Sequence, residues 1–219
     1  MTKPKSTLAS AYDVVSPADN RRLYDDWAAG YDADLRDNYD YVYPREIAKL
    51  FQEQGGVGPV LDIGCGTGLI GEALRLAEMD GADISEKMLD AARAKAVYRR
   101  LFIADLMAKI PVSDATYAGF ISAGVFTEGH VGPGALDELI RIAAPGALFV
   151  LGVNERVFER LGFPAAFERF AAEGLTTAPA FRDLRIYGEK ARHDAADNRS
   201  VAAVFHRTAE PWSSPGRGV

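Results

Sequence analysis

Apolar and polar positions alternate with two different periods along the middle of the chain. Short apolar runs that are typical of buried strands occur at residues 59–63, 79–84, 100–104, 116–124 and 147–153. Segments with apolar residues at helical spacing separate these runs, at residues 69–77, 85–96 and 135–144. Strands that alternate with helices in this way predict a parallel sheet with helices on both of its faces.

The N-terminal part of the chain has a different pattern. Residues 1–16 show no periodicity and are expected to be flexible. A helix is predicted to begin at Ser16 and Pro17, because serine caps helices and proline fits their first turn. Another helix is predicted from Pro44 to the glycines at 55–56, so that residues 17–55 form a helical lid ahead of the first strand.

The C-terminal part is predicted to complete the sheet without a further crossover helix. A polar helical insert covers residues 154–180, and residues 181–190 and 199–208 both have the pattern of strands. The loop between them is too short for a crossover helix, so we expect an antiparallel pair within residues 181–208. The fold prediction is therefore α/β and Rossmann-like: a doubly wound, mostly parallel seven-stranded sheet that ends in an antiparallel hairpin.

Composition limits the function more than it limits the fold. The chain has 219 residues, a size that suits a single domain, and 48% of them are hydrophobic. Its net charge of −6 opposes nucleic-acid binding, and its apolar runs fall short of the roughly 20 residues that span a membrane. One cysteine and three histidines predict neither disulfides nor a metal site. We expect a soluble, cytoplasmic protein, without a secretory signal, that acts on a small molecule; its oligomeric state is not indicated.

A glycine cluster, DIGCGTG at residues 62–68, joins the first predicted strand to a helix. Gly66–Gly71 fits the dinucleotide pattern G-x-G-x-x-G, and Asp83 ends the next strand, where an acid binds ribose hydroxyls. Asp62 distinguishes two kinds of ligand, because a carboxylate at the tip of the strand repels a pyrophosphate by a few kcal/mol. The same carboxylate favours a nucleoside that carries an ammonium and a sulfonium, such as S-adenosylmethionine.

Four segments resemble, in order and spacing, the motif series of class I S-adenosylmethionine-dependent methyltransferases. They are LDIGCGTG, GADISEKMLDAA, ADL and ELIRIAAPGALFVL, within residues 60–151. Two further segments, LYDDWAAGYDADL and SAGVFTEGHV, are similar to the methyltransferase family named for the Williams–Beuren syndrome chromosomal region and its bacterial relatives. The resemblance implies one methyltransferase domain over residues 1–219, with its cofactor-binding core at 56–153 and S-adenosyl-L-methionine as cofactor.

The resemblance also implies which residues hold that cofactor. Asp83 would accept the ribose hydroxyls, Ile84 would lie against the adenine, and Asp105 would accept the adenine amino group. The glycines would frame the methionine tail, and Asp62 would fix the loop or the ammonium of the ligand. The implied cofactor residues are Trp27, Tyr31, Asp62, Gly64, Cys65, Gly66, Gly68, Asp83, Ile84, Met88, Ala104, Asp105, Leu106 and Ser122.

Glu128 and His130 are the candidate catalytic residues, because they follow the fourth strand and ligands bind outside the carboxyl ends of parallel strands. His130 is expected to act as a general base, to orient the substrate or to cap the next helix. The insert at 154–180 and the N-terminal helices are expected to cover the substrate.

The sequence thus predicts methyl transfer to a small-molecule acceptor by in-line displacement. Two alternatives stay open from the residues alone. One is a non-catalytic protein that binds S-adenosylmethionine or S-adenosylhomocysteine, because the displacement needs no diagnostic catalytic residue. The other is an NAD-dependent oxidoreductase that uses Gly66–Gly71, although it needs further βαβ units. Aminopropyl transfer from the decarboxylated cofactor is a third use of the same fold.

Overall fold

A computed structural model of the chain describes residues 17–191 and 199–209. The predicted cap at Ser16 and the predicted flexibility of residues 1–16 lie outside this range. The helices are α1 (Pro17–Trp27), α2 (Tyr31–Tyr39), α3 (Tyr43–Glu53), α4 (Leu69–Leu74), α5 (Glu86–Lys95), α6 (Ala135–Ile142), α7 (Glu155–Phe158) and α8 (Phe163–Ala172). Within the described ranges, none of the helices combines the length and the apolarity that crossing a bilayer requires.

The strands form one seven-stranded sheet. They are β1 (Val60–Ile63), β2 (Met79–Asp83), β3 (Arg100–Ile103), β4 (Tyr117–Phe126), β5 (Ala143–Asn154), β6 (Ala180–Arg185) and β7 (Arg199–His206). Their order is β3-β2-β1-β4-β5-β7-β6. The first five strands are parallel, and β7 is antiparallel to both β5 and β6. The predicted mixed sheet with a terminal antiparallel pair is confirmed.

Both faces of the sheet are covered, and alternate residues of a strand face opposite cores. In β5, Phe149 and Leu151 pack with α6 and α8, whereas Leu148 and Val150 pack with α3. On the α6 side, three rings stack across neighbouring strands: Phe149 lies 4.4 Å from Phe120 of β4 and 4.6 Å from Phe205 of β7. This two-sided burial explains why central strands such as β4 and β5 are mostly apolar, whereas the edge strands β3 and β6 stay largely exposed.

The structure differs from the predicted elements at two junctions. The predicted helix 135–144 ends at Ile142, because Ala143 already pairs with Tyr117 of β4 and so begins β5. The segment before the third helix is not one helix, since α1 ends at Trp27 and α2 begins at Tyr31. This break gives the two N-terminal helices separate directions and lets both cover the same end of the sheet.

Candidate functional site

A cleft opens at the carboxyl ends of β1, β2 and β4. It lies at the topological switch point, because successive strands are added on one side of β1 up to β3 and on its other side from β4 onward. About 760 Å³ lies between its walls, open solvent included. The predicted site residues that line it are Tyr31, Gly64, Gly66, Asp83, Ile84, Met88, Ala104, Asp105, Leu106 and His130. We call this space the cofactor cleft.

The glycine loop between β1 and α4 forms the floor of the cofactor cleft. Gly66 has φ +52°, and no atom lies within 4 Å of the place where a Cβ would stand, so its backbone is open to a ligand. At Gly64, with φ +64°, a Cβ would stand 2.7 Å from Cγ2 of Val125. A side chain is therefore excluded at Gly64 by close packing and at Gly66 by backbone conformation.

Asp83 connects the glycine loop to the start of α5. Its Oδ2 accepts a hydrogen bond from the amide of Gly66 at 2.8 Å, and its Oδ1 accepts one from the amide of Ser85 at 2.8 Å. The Ser85 hydroxyl caps α5 by accepting from the amide of Met88, and it donates to Asp25 of α1 at 2.6 Å. Burial raises the pKa of Asp83, and the amide hydrogen bonds oppose that rise. Each carboxylate oxygen retains a lone pair that a ligand hydroxyl can use.

Asp62 lies beneath the glycine loop and is completely buried. Its Oδ2 accepts a hydrogen bond from the Tyr98 hydroxyl at 2.6 Å, and the Tyr98 oxygen accepts from the amide of Gly71 at 3.2 Å. Within the described ranges its Oδ1 has no hydrogen-bond partner. Burial raises the pKa of Asp62 from 3.8 to about 7, the Tyr98 hydrogen bond lowers it, and Asp83 adds to the rise by repulsion.

The structure buries the Asp62 carboxylate beneath the loop, and its role toward the ligand stays a prediction. Asp62 does not line the cofactor cleft, because it belongs to a strand with all four residues buried. The contact that the structure does show is through Tyr98 to the helix that follows the loop, which fits the role of fixing the loop. Any effect of its charge on a ligand acts through the loop.

Of the predicted lid, α3 packs instead against one face of the sheet, and α1 and α2 lie over the cofactor cleft. Tyr24 of α1 and Tyr31 of α2 line it. Asp32 of α2 accepts a hydrogen bond from the hydroxyl of Thr67 in the glycine loop and forms an ion pair with Lys95 of α5 at 2.6 Å. These contacts hold the lid against the loop and against the helix that follows β2.

His130 forms a hydrogen-bonded pair with Tyr24 above the end of β4. Its Nδ1 lies 2.6 Å from the carbonyl oxygen of Glu128, and its Nε2 lies 3.0 Å from the Tyr24 hydroxyl. Because a carbonyl only accepts, Nδ1 carries the proton, and the neutral ring therefore accepts from Tyr24 at Nε2. Burial lowers the pKa of His130, against a smaller opposite effect of the Glu128 carbonyl. A neutral imidazole with its lone pair toward the cleft can take a proton from a ligand.

A second cavity adjoins the cofactor cleft, and about 570 Å³ lies between its walls, open solvent included. Tyr24, Tyr31, Gly124 and His130 line both spaces. The remaining walls come from the lid, from β4 and β5, and from the segment after β6. We call it the aromatic cavity; its aromatic residues are Tyr24, Trp27, Tyr31, Tyr41, Tyr43, Phe126 and Tyr187, besides His130.

The structure does not bring every predicted site residue to the cofactor cleft. Trp27 faces the aromatic cavity, and its indole donates to Asp34 at 3.1 Å. The carboxylate of Glu128 forms an ion pair with Arg160 and lines neither space, since only its backbone carbonyl turns toward His130. Cys65, Gly68 and Ser122 also do not line the cleft.

The cleft also has residues that the sequence prediction missed. Tyr24, Asn20 and Val125 line it. A signal for Tyr24 was present, because it lies three residues before Trp27 and seven before Tyr31, at helical spacing. No local pattern marks Asn20 or Val125.

Comparisons with known proteins find a methyltransferase domain in this chain. Residues 60–146 match the family described as "Methyltransferase domain". The human methyltransferase-like protein 27 is 31% identical over 156 residues, which are 67% of this chain and 62% of that protein. Residues 60–146 therefore belong to the methyltransferase domain family, and the chain is similar to S-adenosylmethionine-dependent methyltransferases. The narrower resemblance to the Williams–Beuren family stays a prediction.

Solved structures show how widely this methyltransferase fold is used. One neighbour comes from the complex of the Haloferax volcanii Trm112 methyltransferase activator with a methyltransferase; it has a TM-score of 0.61 and 20% identity, over 84% of this chain and 97% of that one. Another is the [4+2]-cyclase SpnF, with a TM-score of 0.62 and 12% identity, over 89% of this chain and 97% of that one. Because a cyclase shares the fold, the fold alone does not decide the reaction of a methyltransferase-family member.

The residues of the cleft fit S-adenosylmethionine, the cofactor of this family. Gly66 leaves room for the close approach of a ligand, and Asp83 retains acceptor capacity for ribose hydroxyls. The buried Oδ1 of Asp62, beneath the loop, lacks a donor in the described structure. Among the described residues that line the cleft there is no Lys or Arg to balance a pyrophosphate. The antiparallel β7, beside β5, also leaves no second mononucleotide-binding half for NAD.

Proposed function

We propose that this chain transfers the methyl group of S-adenosylmethionine to a small-molecule acceptor. The observation that carries the proposal is the cleft at the switch point of the sheet, which has a carboxylate, an open glycine backbone and, among its described lining residues, no Lys or Arg. A second cavity beside it offers a place for a small molecule. The matched segment covers 62% of the human relative, so the activity of that whole protein cannot be transferred to this chain. The proposal therefore rests on this chain's own residues as well as on its family.

Each part of the cleft has a proposed role in holding the cofactor. Asp83 binds the ribose hydroxyls, with its carboxylate held in place by the amides of Gly66 and Ser85. Ile84 and Asp105 bind the adenine: both line the cleft, and Oδ1 of Asp105 already accepts from the amide of Met107 at 2.9 Å. The lid excludes water through the contact of Asp32 with the glycine loop.

When bound, S-adenosylmethionine supplies an electrophilic methyl group on a positively charged sulfur. The protein's main task is then to align the acceptor with that group and to keep water out. His130 lines both spaces, so its Nε2 can receive a proton from an acceptor at their boundary. Glu128 contributes its backbone carbonyl, which fixes the tautomer of His130, and its side chain takes no part.

Calorimetry tests the cofactor assignment directly. We expect S-adenosylmethionine and S-adenosylhomocysteine to bind and NAD not to bind. Binding of NAD alone would overturn the proposal. Transfer of a labelled methyl group from S-adenosylmethionine to a component of a small-molecule extract then distinguishes an enzyme from a protein that only binds the cofactor; cofactor binding without transfer would support the non-catalytic alternative.

A further inference from the structure

The aromatic cavity lies where an acceptor of the proposed methyl transfer has to be. It shares Tyr24, Tyr31, Gly124 and His130 with the cofactor cleft, so a molecule inside it meets the end of that cleft. The shared wall includes His130, whose Nε2 accepts a hydrogen bond at 3.0 Å from Tyr24. A proton acceptor therefore stands at the boundary between the two spaces.

The lining of the aromatic cavity selects against charge. Five tyrosines and Trp27 line it, and no Asp, Glu, Lys or Arg is found among its described lining residues. An anion would lose its hydration there without gaining an opposite charge, and a cation would have only ring faces to replace its hydration. The carboxylate nearest to Trp27, that of Asp34, is already bonded to the indole nitrogen. The cavity thus favours an uncharged molecule.

The rings of the cavity also favour a flat, aromatic molecule. Trp27 packs edge-on against Tyr31 with ring centroids 4.7 Å apart, and Tyr24 packs edge-on against Tyr31 at 6.1 Å. On another wall, Tyr41 packs against Tyr43 at 6.3 Å and against Tyr187 at 5.8 Å. Ring faces and edges that already meet in this way can accept a further ring in stacked or edge-to-face contact.

One polar group in the lining lacks a partner. Thr127 is 9% exposed and lines the aromatic cavity, and its hydroxyl has no hydrogen-bond partner within the described structure. Buried hydroxyls are normally hydrogen-bonded, so an unpaired one in a binding cavity indicates a polar group on the ligand. Asn154, also in the lining, uses its side-chain oxygen to cap α7 through the amide of Arg156. Thr127 is therefore the polar anchor that the cavity offers.

We propose that the aromatic cavity binds a small, uncharged hydroxy-aromatic compound of the phenol class, and that this compound is methylated on oxygen with His130 as the base. The inference rests on the proposed methyltransferase function. The acceptor oxygen forms the new bond to the methyl carbon, and the carbon–sulfur bond of the donor breaks with its electron pair left on sulfur. The acceptor's proton passes to Nε2 of His130, and the Tyr24 hydroxyl, which donates to that nitrogen in the ligand-free protein, turns to accept from it.

The first test is binding to the protein saturated with S-adenosylhomocysteine, measured by calorimetry with matched probes. Phenol, catechol and 2-naphthol are compared with benzoate and benzylamine, their charged counterparts. We expect the hydroxy-aromatics to bind and the charged probes not to bind. Equal or tighter binding of a charged probe, or no binding of any hydroxy-aromatic at millimolar concentration, would overturn the inference. If S-adenosylhomocysteine itself does not bind, the proposed function fails instead.

Variants test whether the hydroxy-aromatic probes bind in the aromatic cavity. Thr127→Val keeps the shape of the side chain and removes the hydroxyl, and we expect it to weaken hydroxy-aromatic binding about fivefold. Its affinity for S-adenosylhomocysteine should be unchanged, because Thr127 does not line the cofactor cleft. Thr116→Val is the matched control, since that hydroxyl is exposed and bonded to Ser113 outside both spaces. Unaltered hydroxy-aromatic binding in Thr127→Val would contradict the assignment of the anchor.

The reaction itself distinguishes a base from a positioning residue. His130→Gln retains a hydrogen-bonding side chain but cannot take the proton, so we expect kcat for the best-bound hydroxy-aromatic to fall by about 100-fold, with KM nearly unchanged. Mass spectrometry of the product should show the methyl ether. A product methylated on carbon, or a kcat for His130→Gln that equals the wild-type value, would refute oxygen transfer with this base.

Discussion

Replacing Asp62 by asparagine tests the electrostatics of the cofactor site without any ligand. Asp62 is fully buried, and burial raises its pKa from 3.8 to about 7. The folded protein therefore retains this proton to a higher pH than the unfolded chain does. The free energy of unfolding must fall as the pH rises from about 4 to about 7, and it stays at the lower value above that range.

The size of this effect follows from the same two pKa values. At full ionisation, the difference between 3.8 and about 7 corresponds to about 4 kcal/mol of lost stability. Between about pH 5.5 and about pH 8.5, the wild-type protein should lose about 2 kcal/mol of that total. Asparagine has no proton to titrate, so the cost of burying its amide is the same at both pH values and cancels from the comparison.

The assay is chemical denaturation of the ligand-free protein at the two pH values. We expect the stability of Asp62→Asn relative to wild type to increase by about 2 kcal/mol at the higher pH. Asp90→Asn is the matched control, because Asp90 is exposed and paired with Arg93 on the same surface of α5; its difference from wild type should not change with pH. A difference for Asp62→Asn that is also independent of pH would refute the reasoning, since it would mean that Asp62 titrates as it does in water.

Three further predictions concern the cofactor cleft: calorimetry with S-adenosylmethionine tests affinity, chemical denaturation tests stability, and stopped-flow measurements test the rate of release. Asp83→Ala should weaken binding by ~1–3 kcal/mol through loss of a charged acceptor, and unchanged affinity would place the ribose elsewhere. Gly66→Ala and Gly174→Ala introduce a side chain at φ +52° and +71° with open space around both, and each should cost ~1 kcal/mol of stability. Only Gly66→Ala should also impair binding; equal affinity in the two variants would exclude Gly66 from the site. Asp32→Ala should speed cofactor release about fivefold through loss of the lid contacts. Asp37→Ala, which removes an exposed carboxylate from the same helix, should leave the release rate unchanged. Equal release rates in the two variants would show that other contacts hold the lid.

The sheet could be predicted from the sequence because its signals are local. Buried strands such as β5 place apolar residues toward both cores, and the period changes at each glycine or proline turn. The misplaced end of the helix 135–144 shows the limit of this reasoning. Ala143 suits a helix as well as a strand, and only its pairing with Tyr117, far away in sequence, decides between them.

The candidate site could be predicted where a motif fixes the backbone and not where it depends on distant partners. The glycine loop and Asp83 lie together as their spacing suggests. The partner of Asp62 is Tyr98, 36 residues away, and no pattern in the sequence connects the two. Glu128 and His130 show the same limit at short range, because a turn between them directs one side chain to the cleft and the other to Arg160.

The preference for a cationic ligand now has a different physical origin from the one that the sequence suggests. Asp62 does not line the cleft, but it is buried close enough to Asp83 for that carboxylate to disfavour ionisation of Asp62. A positive charge in the cleft would relieve that repulsion, whereas a diphosphate would add to it with no Lys or Arg among the described lining residues to compensate. Burial is the main reason that ionised Asp62 destabilises the ligand-free protein, and repulsion from Asp83 adds to it. Asp62→Asn removes both, so we expect the variant to gain stability relative to wild type as the pH rises and to bind S-adenosylmethionine less tightly.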